Sequence, residues 1–148
     1  MKPITNSLPR FEISSVQTNF PAQKITSSSD AADFIRQFYG DDIFIFESSF
    51  ILLLNQNNVT IGFAKISQGG ISGTVIDGRL VAHYAIRSLA VGVILAHNHP
   101  SGNLTPSQAD KIITNKIKEG LALLDIALLD HVILTGASYN SFADSGLL

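Results

Sequence analysis

Hydrophobic positions along this chain fall into blocks of two periods, and the blocks alternate. Met1 to Ile25 is polar, carries Pro3, Pro9 and Pro21, and sustains neither period, which predicts an extended arm over residues 1–27. Ser27-Ser28-Ser29-Asp30 then supplies hydroxyl and carboxylate caps for a short helix, Ala31 to Tyr39. Its apolar residues Phe34, Ile35 and Phe38 share one face, and Gly40 ends it. Ile43 to Leu54, rich in Phe, Ile and Leu, reads as a strand that stops at Asn55-Gln56-Asn57-Asn58. Val59 to Ile66 reads as its hairpin partner. Gly69, Gly70 and Gly73 break regular structure before Asp77-Gly78 opens a helix from about Arg79 to Ala90. Val91 to Ala96 has no polar side chain, as suits a central strand covered on both faces.

That strand runs into His97, and the next helix starts at Thr105-Pro106-Ser107-Gln108. Thr105 is placed to cap it, Pro106 to occupy its first position and Gln108 to return the capping bond. Ala109, Ile112, Ile113 and Ile117 form its apolar stripe, and Gly120 closes it. Leu128 to Thr135 is a last major strand, with Tyr139 to Phe142 a short edge strand. Helices alternating with strands predict a single α/β domain over residues 28–148, built on a mixed sheet.

Composition narrows the chemistry. The chain has 148 residues, 45% of them hydrophobic and 15% charged, so its core is well supplied. It contains no cysteine, which excludes disulfides, thiolate metal clusters and a cysteine nucleophile together. The net charge of −2 and the scattered Lys and Arg give no basic footprint for nucleic acid. No apolar run approaches the roughly 20 residues of a membrane helix, and the first residues lack a signal-peptide pattern, so a cytoplasmic protein is expected.

Against this background, His97 to Asp110 is dense in chemistry: H-x-H, seven residues, then S-x-x-D. His97 and His99 are two apart, so locally extended backbone points them to one side. Asp110, three residues after Ser107, is brought by the following helix with Ser107 on a neighbouring part of the same face. Two imidazoles and one carboxylate can hold a zinc ion and leave its fourth position open for water, as hydrolytic zinc requires. The water needs a base. Glu47 interrupts an apolar run and is one of only three glutamates, while Glu12 lies in the arm and Glu119 at a helix end. Ser107 could donate to an oxyanion, a role worth roughly 3 kcal/mol for comparable donors. His83 is expected on an exposed helix face, and His131 as a hydrogen-bonded core histidine outside the metal's ligands.

Glu47, His97-x-His99, Ser107 and Asp110 resemble the JAMM (MPN+, or JAB) metalloprotease motif. The longer string HNHPSGNLTPSQAD, with Leu129-Asp130-His131-Val132-Ile133 and Tyr139-x-Ser141-Phe142 downstream, is similar to the RadC family in particular. The resemblance implies a cytidine-deaminase-like three-layer α/β/α fold and one Zn2+ per chain on His97, His99 and Asp110. It implies Glu47 as general base and Ser107 as oxyanion donor. The implied reaction is hydrolysis of peptide or isopeptide bonds in a peptide or protein substrate. Longer RadC-like proteins, with their historical DNA-repair label, carry an N-terminal helix-hairpin-helix module. Fewer than thirty residues precede the domain here, so the chain is similar to the stand-alone form. The rival reading is a DNA-processing accessory module whose zinc is structural or vestigial; a nuclease is disfavoured because one His-His-Asp set gives no sign of paired metals.

Overall fold

The computed structural model describes residues 7–12, 14–70 and 75–148. Three helices, α1 (Ser28–Arg36), α2 (Gly78–Ser88) and α3 (Gln108–Ala122), flank a sheet of five strands. The strands are β1 (Ser48–Leu54), β2 (Thr60–Gln68), β3 (Gly92–Asn98), β4 (Ala127–Leu134) and β5 (Tyr139–Ser141). They lie in the order β2-β1-β3-β4-β5, and only the β3–β4 pair is parallel. The sheet is therefore mixed, as the alternation of elements predicts.

Strand pleating sorts the core into two layers. Leu52, Leu54, Ile94, Ala96, Val132 and Leu134 pack against α1 through Ala31, Ala32, Phe34 and Ile35. Ile51, Leu53, Val93 and Leu95 point the other way, onto Val81 and Ala85 of α2 and Ile117 and Leu121 of α3. A helix layer on each face of one sheet is the α/β/α arrangement expected. All seven residues of β1 and of β3 are buried, as a central strand covered on both faces must be.

Local capping shifts several boundaries. Ser27 caps α1 by accepting the Asp30 N–H at 3.1 Å, so the helix begins at Ser28 and ends at Arg36, short of Tyr39. Asp77 caps α2 by accepting the Arg79 N–H at 2.9 Å, and the helix stops where Leu89 turns left-handed at φ 60°. Helix α3 passes Gly120 to reach Ala122 because Leu121 is buried in the core. Its buried face is Thr114, Ile117 and Leu121 rather than a stripe that includes Ile112, which is 63% exposed.

The largest departure is at residues 43–47, expected as the start of a strand. Asp41–Phe44 forms a 3-10 turn, and β1 begins only at Ser48. The arm is anchored at its end: Gln23 and Thr60 exchange hydrogen bonds, Ile25 donates to the Asn58 carbonyl, and Phe20 packs edge-on to Phe38 and Phe63. Among the described residues no helix is long and apolar enough to cross a membrane.

Candidate metal centre

Strand β3 delivers the first histidine. Its pleat turns His97 toward the α2–α3 layer and Asn98 toward the α1 layer, and His99 follows just past the strand end. The His99 N–H donates to the Leu134 carbonyl at 2.9 Å, which keeps the exit from the strand in register with β4. The two imidazoles converge, with their Nε2 atoms 3.0 Å apart. Asp110 Oδ2 lies 3.5 Å from His97 Nε2 and 3.8 Å from His99 Nε2. Glu47 Oε1 lies 3.8 Å from each. His97 is 1% exposed, so the cluster sits against the protein interior.

The proton on His99 is fixed by its neighbour. Its Nδ1 faces the Asn103 carbonyl, which can only accept, so Nδ1 carries the hydrogen and Nε2 presents a bare lone pair. That lone pair points into a space shared with another imidazole nitrogen and two carboxylates.

Asp110 is placed by the start of α3, in a different way from the capping expected. Ser107, not Thr105, is the N-cap: its hydroxyl accepts the Asp110 N–H at 3.0 Å, and Asp110 Oδ2 accepts the Ser107 N–H at 2.9 Å. This is a reciprocal capping box closed by Asp110 rather than Gln108. Thr105 instead donates its N–H to the Asn103 side chain, and Ser107 stands at the cap rather than on the helix face. The Ser107 hydroxyl accepts the Asp110 N–H with one lone pair and still carries a proton that it can donate. Burial pushes the Asp110 carboxyl up, and the hydrogen bond that it accepts from the Ser107 N–H opposes this by favouring the ionised form.

Glu47 sits on the irregular segment before β1, and Asn98 explains that segment. The Asn98 side chain is fully buried; its Oδ1 accepts the Ser48 N–H at 2.8 Å, and its Nδ2 donates to the Ile43 and Phe46 carbonyls at 2.8 and 2.7 Å. The backbone curls around this amide instead of running straight. Glu47 itself donates its N–H to the Gly70 carbonyl and accepts from the Gly69 N–H, which ties it to the end of β2. Tyr39 donates its hydroxyl to the Ser48 carbonyl at 2.8 Å, and burial raises its pKa far enough to keep it a phenol. Glu47, His97 and Asp110 line a cavity of about 160 Å³ with Val75, Ile76, Ala109 and Ile113.

Behind His97 lies His131, fully buried and stacked on the Phe142 ring at 4.7 Å. Its Nε2 is 2.8 Å from His97 Nδ1, and its Nδ1 is 2.6 Å from the Thr114 hydroxyl. It is a hydrogen-bonded core histidine, as expected, and burial pushes its pKa well below the ordinary imidazole value. His83 lies exposed on α2, as expected. Asn98 and Thr114 are the two residues that the sequence alone does not single out. Each had one available signal: a polar side chain at a position the surrounding period marks as buried.

Glu47, His97 and His99 could hold a metal ion, their ligand atoms all lying within 4.8 Å of one another. The donors are imidazole nitrogens and carboxylate oxygens, with no sulfur in the chain, a set that suits zinc or a similar divalent ion. A bare Nε2 lone pair 3.0 Å from a second ring nitrogen, with two carboxylates near by, is a place where a cation relieves repulsion.

The sequence description of the RadC-like JAB domain matches residues 25–147, which include all of these side chains. The chain belongs to the RadC-like JAB domain family. It is 47% identical over 125 residues to a UPF0758 protein of Flavobacterium johnsoniae, an overlap of 84% of this chain and 54% of that one. It is 47% identical over 102 residues to the UPF0758 protein YfjY of Escherichia coli K12, covering 69% of this chain and 64% of that one. A UPF0758 protein of Porphyromonas gingivalis is 45% identical over 103 residues, or 69% of this chain and 45% of that one. The chain thus spans about half the length of the curated relatives it matches. The RadC-like JAB match begins at Ile25, which donates to the Asn58 carbonyl in the turn between β1 and β2.

Proposed function

We propose that this RadC-like JAB domain is a zinc-dependent hydrolase of amide bonds, a metallopeptidase or isopeptidase acting on a peptide or protein substrate. In this reading His97, His99 and Asp110 hold one zinc ion per chain, and Glu47 and Ser107 are the catalytic residues. The observation that carries it is the convergence of two imidazole Nε2 atoms 3.0 Å apart with Asp110 Oδ2 and Glu47 Oε1 at 3.5–3.8 Å.

The two carboxylates divide the work by how they are held. Asp110 is the nearer to His97, is kept ionised, and is fixed by a capping box at the start of a fifteen-residue helix, as suits a ligand. Glu47 stands on the loop that Asn98 shapes, and its carboxylate is left to face the cavity, as suits a group that must take a proton and give it back. A zinc ion bound there supplies Lewis acidity and makes water nucleophilic near neutral pH. Glu47 accepts a proton as the water oxygen attacks the amide carbon, and returns it to the nitrogen as the C–N bond breaks. Ser107 donates a hydrogen bond from its hydroxyl to the oxygen that gains charge. Val75, Ile76 and Ile113 give the cavity an apolar wall that fits a side chain of an extended peptide.

The test combines metal content with turnover of an internally quenched peptide library. Zinc-loaded wild type should hold one zinc per chain and cleave the library; His99→Ala should lose both zinc and cleavage. Glu47→Gln should keep the zinc and lose cleavage. Undiminished cleavage by Glu47→Gln would sink the assignment of the base. Wild type that takes up no zinc, yet binds DNA in a salt-dependent way, would overturn the hydrolase reading.

A further inference from the structure

The chain behind His97 has an unbroken direction. The Asp110 backbone carbonyl can only accept, so the Thr114 hydroxyl, 2.6 Å away, donates to it. Having spent its proton, that hydroxyl must accept from His131 Nδ1, also at 2.6 Å, which places the His131 hydrogen on Nδ1. His131 Nε2 is then a bare lone pair, and it can only accept from His97 Nδ1 at 2.8 Å. With its hydrogen on Nδ1, His97 presents Nε2 unprotonated to Asp110, Glu47 and His99.

We propose that Thr114 and His131 are positioning residues that set the tautomer of His97, so that its Nε2 lone pair is committed to a metal. This rests on the reading of the centre as a metal site, and it adds two residues to that site that touch no ligand position. Orientation of a ligating imidazole through its second nitrogen is a general device, usually served by a carboxylate or a backbone carbonyl. Here a second imidazole serves instead, and it needs its own anchor, because neutral histidine can either donate or accept at each nitrogen. Thr114 removes that freedom. The relay starts on the residue whose carboxylate faces the same centre, so the first turns of α3 position Asp110 directly and His97 indirectly. The Phe142 ring, stacked on His131 at 4.7 Å, blocks the imidazole from turning over.

The test is tautomer-resolved nuclear magnetic resonance on the full chain, metal-free, with 15N-labelled histidine, followed by zinc titration. In wild type both His97 and His131 should carry hydrogen on Nδ1. Thr114→Val keeps the shape but offers His131 Nδ1 only a methyl group; hydrogen should move to His131 Nε2 and hence to His97 Nε2. Zinc affinity should then fall by about 10- to 100-fold, the cost usual for losing a partner of a ligating histidine. Thr114→Ser should restore both tautomers and affinity, and Thr114→Ala carries the same test if the valine variant does not fold. Hydrogen on Nε2 of His131 in wild type, or unchanged His97 tautomer and zinc affinity in Thr114→Val, would overturn the relay. Wild type with the expected tautomers but no zinc binding would overturn the metal reading and leave the relay standing.

Discussion

Asn98→Ala removes three hydrogen bonds at once from a fully buried side chain, and the loss falls on the segment that carries Glu47. Each such bond contributes about 1 kcal/mol net. The Ser48 N–H, left in the interior without an acceptor, adds a desolvation cost of about 1–3 kcal/mol. The carbonyls of Ile43 and Phe46 can turn partly toward solvent as the 3-10 turn loosens, which recovers some of the loss. A net destabilisation of about 3–4 kcal/mol is therefore expected, a large fraction of the roughly 5–15 kcal/mol that holds a domain folded. For a chain of this size that corresponds to a fall in melting temperature of about 6–16 °C. The assay is thermal unfolding followed by circular dichroism, paired with zinc titration at a temperature where the variant is folded. Because His97, His99 and Asp110 are held by β3 and α3 rather than by Asn98, zinc affinity should change little while peptide cleavage is lost with Glu47. A melting temperature within about 2 °C of wild type would refute the claim that Asn98 shapes the 41–47 segment.

Three further outcomes follow. His131 is buried neutral with its pKa pushed down, so the unfolded chain binds the extra proton; stability of the metal-free protein should fall as pH drops below the ordinary histidine value of about 6.5, approaching 1.4 kcal/mol per pH unit. Urea midpoints measured from pH 7.5 to 5 check this, and His131→Phe should flatten the slope; an equally steep profile in that variant would contradict it. Leu89 is 83% exposed and held at φ 60°, so Leu89→Gly should stabilise by about 1 kcal/mol, read as a higher urea midpoint; a lower midpoint would show that the leucine packs on something. Ser107→Ala removes the α3 cap and should cost about 1 kcal/mol of stability, with a larger proportional loss of cleavage than of zinc affinity. Equal losses of cleavage and zinc affinity would leave Ser107 a cap alone.

The elements were legible wherever a period or a cap was local. Asp77 capping α2, the apolar β3 and the Asn55–Asn58 turn all depend on neighbours in sequence, and each stands where the pattern puts it. Two of the failures share a cause, a polar side chain whose partner is distant in sequence. Residues 43–47 look like strand because Phe, Ile and Phe suit one, but Asn98, about fifty residues away, captures their carbonyls. The stripe of α3 looks centred on Ile112, yet Thr114 turns inward because His131 awaits its hydroxyl. At the site, the H-x-H spacing and the helix start are enough to anticipate that His97, His99 and Asp110 meet, with Ser107 bonded to Asp110, and Glu47 stands out as the only glutamate in an apolar run. The capping box between Ser107 and Asp110 was hidden because Thr105-Pro106 offers an equally good local start.

The central claim is that one metal ion sits on His97, His99 and Asp110 while Glu47 stays free to carry a proton. Crystals of zinc-loaded protein, with diffraction recorded on both sides of the zinc absorption edge, test it most directly. A single anomalous peak about 2.0–2.2 Å from His97 Nε2, His99 Nε2 and Asp110 Oδ2 is the predicted result, with the Glu47 carboxylate outside bonding distance. No peak between the two imidazoles, or a peak bonded to Glu47 in place of Asp110, would contradict it.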